Sequence, residues 1–280
     1  MLESAGFWQS WFVWRDAMIV ALVSAAALSY LGVWVALKKA VYVPLALSQV
    51  SSVGVVLAYL LSAWLGVSLQ GRHGLGLLLD PAWISLLFAL ATALWFASVR
   101  EDATEQVVVA YLLSAATVLI LGGFVRQDLH DVQSVLFGSA VLVDTLQIAY
   151  ATAAAVVTAL IHLAMYRRFL FVSFDAEAAG AAGLRPFWVE VLRNASFAQM
   201  ISVATRAIGA LPAFGLMVLP GLVGLRLGRS MRTAFSLAVL VGTAAAGFGY
   251  YASFVLGLPT GASMVTLAGA FYLGALAVRR

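Results

Sequence analysis

"RRFLFVSFDAEAAGAAGLRPFW", residues 167 to 188, is a polar, small-residue stretch between two long apolar runs. Asp175 is placed to N-cap a short helix, Glu177 suits the positive first turn, and the alanines that follow favour helix. Gly183 is placed to end that helix as the residue after its C-cap, and Pro186 to open the next one. A two-turn helix flanked by Arg168 and Arg185 is long for a simple connector. Two readings stand: a helix lying at a membrane surface, or a docking element that fits into a partner able to push on it.

The runs on either side decide the class. The chain has 280 residues, 64% of them hydrophobic and only 10% charged. Its mean hydropathy is +1.02. A soluble domain of this size keeps a polar exterior, so such a composition points to lipid as solvent. Several runs approach the roughly 20 residues that cross the hydrocarbon as a helix. The fold class expected is an all-α polytopic membrane protein with eight or nine transmembrane helices. The spans fall near 14–37, 41–69, 81–99, 104–123, 142–166, 187–208, 209–225, 233–256 and 259–278, all within a single domain over residues 1–280. Glu3 and the lack of an early Lys or Arg argue against a cleavable leader. Trp8, Trp11 and Trp14 read instead as an aromatic belt before the first span.

Charge placement gives an orientation. Lys38, Lys39, Arg100, Arg167, Arg168, Arg185, Arg226, Arg229, Arg232, Arg279 and Arg280 collect on one side of the expected spans; Arg15, Arg72 and Arg126 fall on the other. The positive-inside bias then puts the N-terminus outside and the C-terminus in the cytoplasm. The net charge of +4 resides at span ends, so nucleic acid is not an expected partner; the bilayer is. The chain contains no cysteine. It has no phosphate-loop motif, and Lys38 and Lys39 are its only lysines, so ATP chemistry is not expected here. His73 and His130 read as loop histidines, His162 as one near an inner helix end, and Glu190 with Arg193 as a surface pair. An intramembrane hydrolase would have His162 as its only candidate base. A secondary transporter would need an embedded ionisable group, for which Arg206 is the one candidate.

The second span carries the other candidate site. In "VYVPLALSQVSSVG", residues 41 to 54, Ser48, Ser51 and Ser52 share one helix face with Gln49 beside it. Pro44 removes a backbone donor just inside the membrane, and Gly209, Pro212 and Pro220 mark a second interrupted place. These residues either serve close helix packing or line a translocation path; Arg206 either snorkels to the outer surface or stands at the outer mouth of that path.

"FDAEAAGAAGL" resembles the F-D-x-E-x-A-x-x-x-G-L cytoplasmic loop of permease subunits from zinc/manganese-type ATP-binding-cassette importers, and a similar loop occurs in the related vitamin B12 and siderophore permeases. In order along the chain, "GVWVALKKAVYVPLALSQVSSVGV", "REDATEQVVVAYLLSAATVLILGG", "VLFGSAV", "IGALPAFGLMVLPGLVGLRLGRS" and "GLPTGASMVTL" resemble further segments of the same family. The resemblance implies a permease of the inner (plasma) membrane with a coupling helix near 174–184, its ATPase contacts carried by Phe174, Asp175, Glu177, Gly180, Gly183, Leu184 and Arg185. It implies a second copy of the chain, separate cytoplasmic ATPase subunits that use the ATP, an external substrate-binding protein and no cofactor in this chain. Within that reading, the path residues are the polar face and its flanks: Pro44, Ser48, Gln49, Ser51, Ser52 and Arg206. The family's second span carries Asp and, four residues on, His; Leu45 and Gln49 stand at those positions here. The expectation is therefore an atypical substrate site without metal-ligating residues, suited to a metal, a metal chelate or a small organic molecule.

Overall fold

A computed structural model describes residues 2–9, 11–66, 78–98, 104–124 and 145–278. These form eleven helices, with no strand among the described residues. They are α1 (Leu2–Gln9), α2 (Trp11–Leu37), α3 (Tyr42–Leu65), α4 (Pro81–Ser98), α5 (Thr104–Phe124), α6 (Thr145–Phe174), α7 (Ala176–Ala181), α8 (Pro186–Ile208), α9 (Ala210–Leu227), α10 (Met231–Leu256) and α11 (Thr260–Ala277). Eight of them are long and apolar enough to cross a membrane. The remaining long helix, α8, carries Glu190, Arg193, Asn194, Gln199 and Arg206 and is instead enclosed by α2, α3, α4, α6 and α9. The polar content of α8 is tolerable because protein, not lipid, surrounds much of it.

Small residues set the packing. A Cβ on Gly32 of α2 would lie 1.6 Å from the Met217 carbonyl oxygen of α9, and one on Gly221 would lie 2.4 Å from the Gly32 carbonyl carbon. The two backbones touch there, a contact that any larger residue would prevent. α10 packs on the same pair, so α2, α9 and α10 form one block. α3 packs on α4 and α5, and α8 joins the two groups.

Several expectations change. Trp14 is 3% exposed, stacks on Phe7 at 3.8 Å and donates from Nε1 to the Phe7 carbonyl oxygen at 2.7 Å. It belongs to the core, because α1 folds against α10 and supplies a partner for the indole; Trp8 and Trp11 remain exposed. Pro44 lies in the first turn of α3, where an N–H has no intrahelical acceptor in any case, so it does not break the helix. The fifth span does not stop at 166. α6 runs through Arg167 and Arg168 to Phe174, because nothing in that stretch breaks a helix and Phe169 and Val172 continue its buried face. His162 is consequently well inside a helix and fully buried, not interfacial. The sites of Arg72, His73, Arg100, Arg126, His130, Arg279, Arg280 and the "VLFGSAV" segment lie outside the described residues.

Candidate functional site

The element between α6 and α8 is built by local capping. The Asp175 side chain accepts from the Ala178 backbone N–H at 2.8 Å. At the other end Gly183 has φ +85°, and its N–H donates to the Gly180 carbonyl while the Leu184 N–H donates to Ala179, each at 3.0 Å. That double bond pattern is a Schellman closure, which needs a left-handed residue at the glycine. Pro186 then supplies the first residue of α8. Ala179 is buried and Leu184 packs against the core, whereas Phe174, Asp175, Glu177, Gly180, Gly183 and Arg185 are exposed. Pinned on one side and bare on the other, the element is a short rigid peg at the end of the bundle.

On α3 the polar residues behave differently from one another. Ser48 Oγ donates to the Leu45 carbonyl at 2.9 Å and Ser52 Oγ to the Ser48 carbonyl at 3.0 Å, both within their own helix. Ser51 Oγ and Gln49 Oε1 are buried atoms without a hydrogen-bond partner. Leu45 and Gln49, one turn apart, are half-buried, while the three serines are fully enclosed. Ser85 of α4 lies against Gly54, about one turn along α3 from Ser51, and shares a 3.0 Å hydrogen bond with Ser202 of α8. Among the described residues no three His, Cys, Asp or Glu side chains cluster as a metal site.

Arg206 is paired with Asp80 at 3.8 Å, its side chain 17% exposed. Asp80 also caps α4 by accepting from the Ala82 N–H at 2.7 Å. Asp80 is absent from the sequence reading, although Asp followed by Pro is a legible helix start; its pairing with Arg206 is not legible locally. At the opposite end, Glu190 and Arg193 are not a surface pair. The Arg193 side chain is 6% exposed and lies 3.4 Å from Glu190 Oε1, and the same oxygen accepts from Lys38 Nζ at 2.7 Å. Burial follows from α8 being enclosed by its neighbours.

An all-helical bundle with eight helices able to cross a membrane defines a polytopic membrane protein. The ABC 3 transport family model matches residues 11–279, and the chain belongs to that family. A manganese transport system membrane protein of Halalkalibacterium halodurans is 22% identical, covering 92% of this chain and 84% of that relative. A chelated iron transport system membrane protein of Yersinia pestis, YfeD, is 24% identical, covering 94% and 84%. PsaBC from Streptococcus pneumoniae, solved in complex with Fab, has the same fold, with a TM-score of 0.81 and 18% identity over 99% of this chain and 95% of that one. The chain is thus the membrane-spanning permease subunit of an ABC transporter.

Proposed function

We propose that this permease imports a transition metal that arrives with some of its ligands still attached. Two copies of the chain enclose the path, two copies of a separate ATPase seat on the 174–185 peg, and an external binding protein delivers cargo to the outer face. The N-terminus lies outside and the C-terminus in the cytoplasm. ATP-driven closure of the ATPases displaces the peg and switches the path between outward and inward access.

The observation that carries the ATPase reading is the geometry of the peg: fixed at both ends, buried only through Ala179 and Leu184, and exposed on the side carrying Phe174, Asp175, Glu177 and Arg185. The cargo reading is supported by the relatives named for manganese and chelated iron, and by the donor set on α3. A bare divalent ion in a low-dielectric span needs anionic or imidazole donors to replace its water. Leu45 and Gln49 supply neither, whereas the unpartnered Gln49 Oε1 and Ser51 Oγ suit a cargo that keeps its own ligands. Within the path set of Pro44, Ser48, Gln49, Ser51, Ser52 and Arg206, those two carry the proposal.

The test is uptake into proteoliposomes holding permease, ATPase and binding protein, with manganese, zinc and chelated iron offered separately. ATP-dependent uptake of the chelate that falls in Gln49→Leu supports the reading. Tight stoichiometric binding of bare zinc or manganese by the permease would overturn the chelate assignment. No ATP-dependent flux of any metal would overturn the metal assignment and leave a small organic cargo.

A further inference from the structure

Ser173 lies in the last turn of α6, two residues before the cap of the peg. Its Oγ accepts from the Arg193 guanidinium at 3.0 Å. Arg193 also reaches Glu190 Oε1 at 3.4 Å, and that oxygen takes Lys38 Nζ, at the end of α2, at 2.7 Å. One buried cation and one carboxylate oxygen therefore join the ends of α6, α8 and α2. A turn deeper, Ser196 Oγ donates to the Arg193 carbonyl at 2.7 Å and accepts from His162 Nε2 at 2.8 Å, so the imidazole carries its proton on Nε2. Tyr30, Trp34 and Phe169 ring that histidine, again from α2 and α6.

We propose that Lys38, Glu190, Arg193 and Ser173 form the linkage through which movement of the 176–181 helix reaches α2, with Glu190 as its positioning residue. The inference rests on the reading of that helix as the ATPase contact. Arg193 is 5% exposed and its Nε has no partner. The two side chains that it does bond offset the cost of burying a charge, so the guanidinium must travel with them. A shift of the peg pulls Ser173, Arg193 follows, and Glu190 transfers the displacement to Lys38. From there α2 moves as a block with α9 and α10: α2 and α9 touch backbone to backbone at Gly32 and Gly221, and α9 meets α10 as closely where Gly224 faces the Ala234 carbonyl. The linkage thus leaves ATPase docking to the peg's exposed side and governs only what the membrane helices do in response.

The experiment uses the permease–ATPase complex in lipid nanodiscs, with a single cysteine at Gln49 as reporter of path accessibility to a maleimide. Without the linkage variants, ATP must change the labelling rate; a complex that binds ATPase and hydrolyses ATP but shows no change overturns this proposal and the alternating-access reading together. In Glu190→Gln and in Lys38→Met, complex formation and ATP hydrolysis stay near wild type while the ATP-dependent labelling change is lost. Lys38→Arg keeps the cation and restores it. Retention of the full labelling change in both Glu190→Gln and Lys38→Met overturns the linkage alone and leaves the peg's role standing. Loss of ATPase binding in Lys38→Met also overturns it, because the network would then serve docking.

Discussion

Ser29 of α2 donates its hydroxyl to the Leu216 carbonyl oxygen of α9 at 2.9 Å, and Leu216 is the carbonyl that Pro220 leaves without its helical donor. Pro220 lies inside α9 and has no N–H to return to the residue four positions back. A span that contains proline must satisfy the freed carbonyl from a neighbour. Here the neighbour is a hydroxyl on the helix whose backbone already touches α9, so a kink-prone position and a tight crossing solve each other's problem.

Ser29→Ala should therefore destabilise the bundle by about 1–2 kcal/mol, above the roughly 0.6 kcal/mol typical of interhelical bonds in membranes, because it takes the hydroxyl from a carbonyl that Pro220 already leaves without its i+4 donor. In a Pro220→Ala background the backbone N–H returns and the same change should cost less than about 0.5 kcal/mol. A double-mutant cycle in mild detergent, read by denaturant titration, measures the difference. Additive effects would mean that Pro220 is not the reason for the bond.

The room for that hydroxyl comes from a third helix. A Cβ on Gly242 of α10 would lie 1.8 Å from Ser29 Oγ, whereas Gly269 of α11 has nothing within 4 Å of the corresponding position. Gly242→Ala should cost the Ser29–Leu216 bond and lower the unfolding midpoint. Gly269→Ala should match or raise it, since alanine gains up to about 1 kcal/mol over glycine in a helix. Thermal unfolding of the two variants side by side decides the matter; equal behaviour would contradict the packing described.

These contacts separate what was legible from what was not. The peg could be read because its caps act over a few residues: Asp175 to Ala178, Gly183 to Gly180 and Leu184 to Ala179. The spans were legible from apolar run length. Partners across the bundle were not. Arg206 and Asp80 lie far apart in sequence, as do Lys38 and Glu190, and no local rule joins them. A span that stops at 166 leaves His162 interfacial; the Phe169 and Val172 face, continuing at helical spacing, is the signal that carries the helix to Phe174.

Lys39 is a non-glycine residue with φ +56°, closing α2 through Lys39 N–H to Ala36 at 3.1 Å and Ala40 N–H to Val35 at 3.0 Å. Left-handed backbone costs a side-chain-bearing residue about 1–2 kcal/mol, and glycine escapes that cost. Lys39→Gly should raise the unfolding midpoint with no loss of ATPase association, checked by thermal unfolding and co-purification. A lowered midpoint would mean that the lysine itself makes a stabilising contact.

The sharpest prediction concerns Gly183, where conformation and space can be told apart. A Cβ there would meet nothing within 4 Å, so only the positive φ of +85° stands against substitution. Asparagine visits left-handed backbone more readily than β-branched residues do. Gly183→Asn should keep the Schellman closure and most ATPase stimulation, while Gly183→Val should lose it although both side chains have room. Asp175→Ala should fall between them, giving up an N-cap worth about 1 kcal/mol. None of the three should alter the membrane bundle, because the peg contributes only Ala179 and Leu184 to the core. The measurement is ATPase stimulation by each variant in nanodiscs, alongside the unfolding midpoint of the isolated permease. Stimulation by Gly183→Val equal to wild type would show that the shape of the peg does not matter, and with it the docking role would fall.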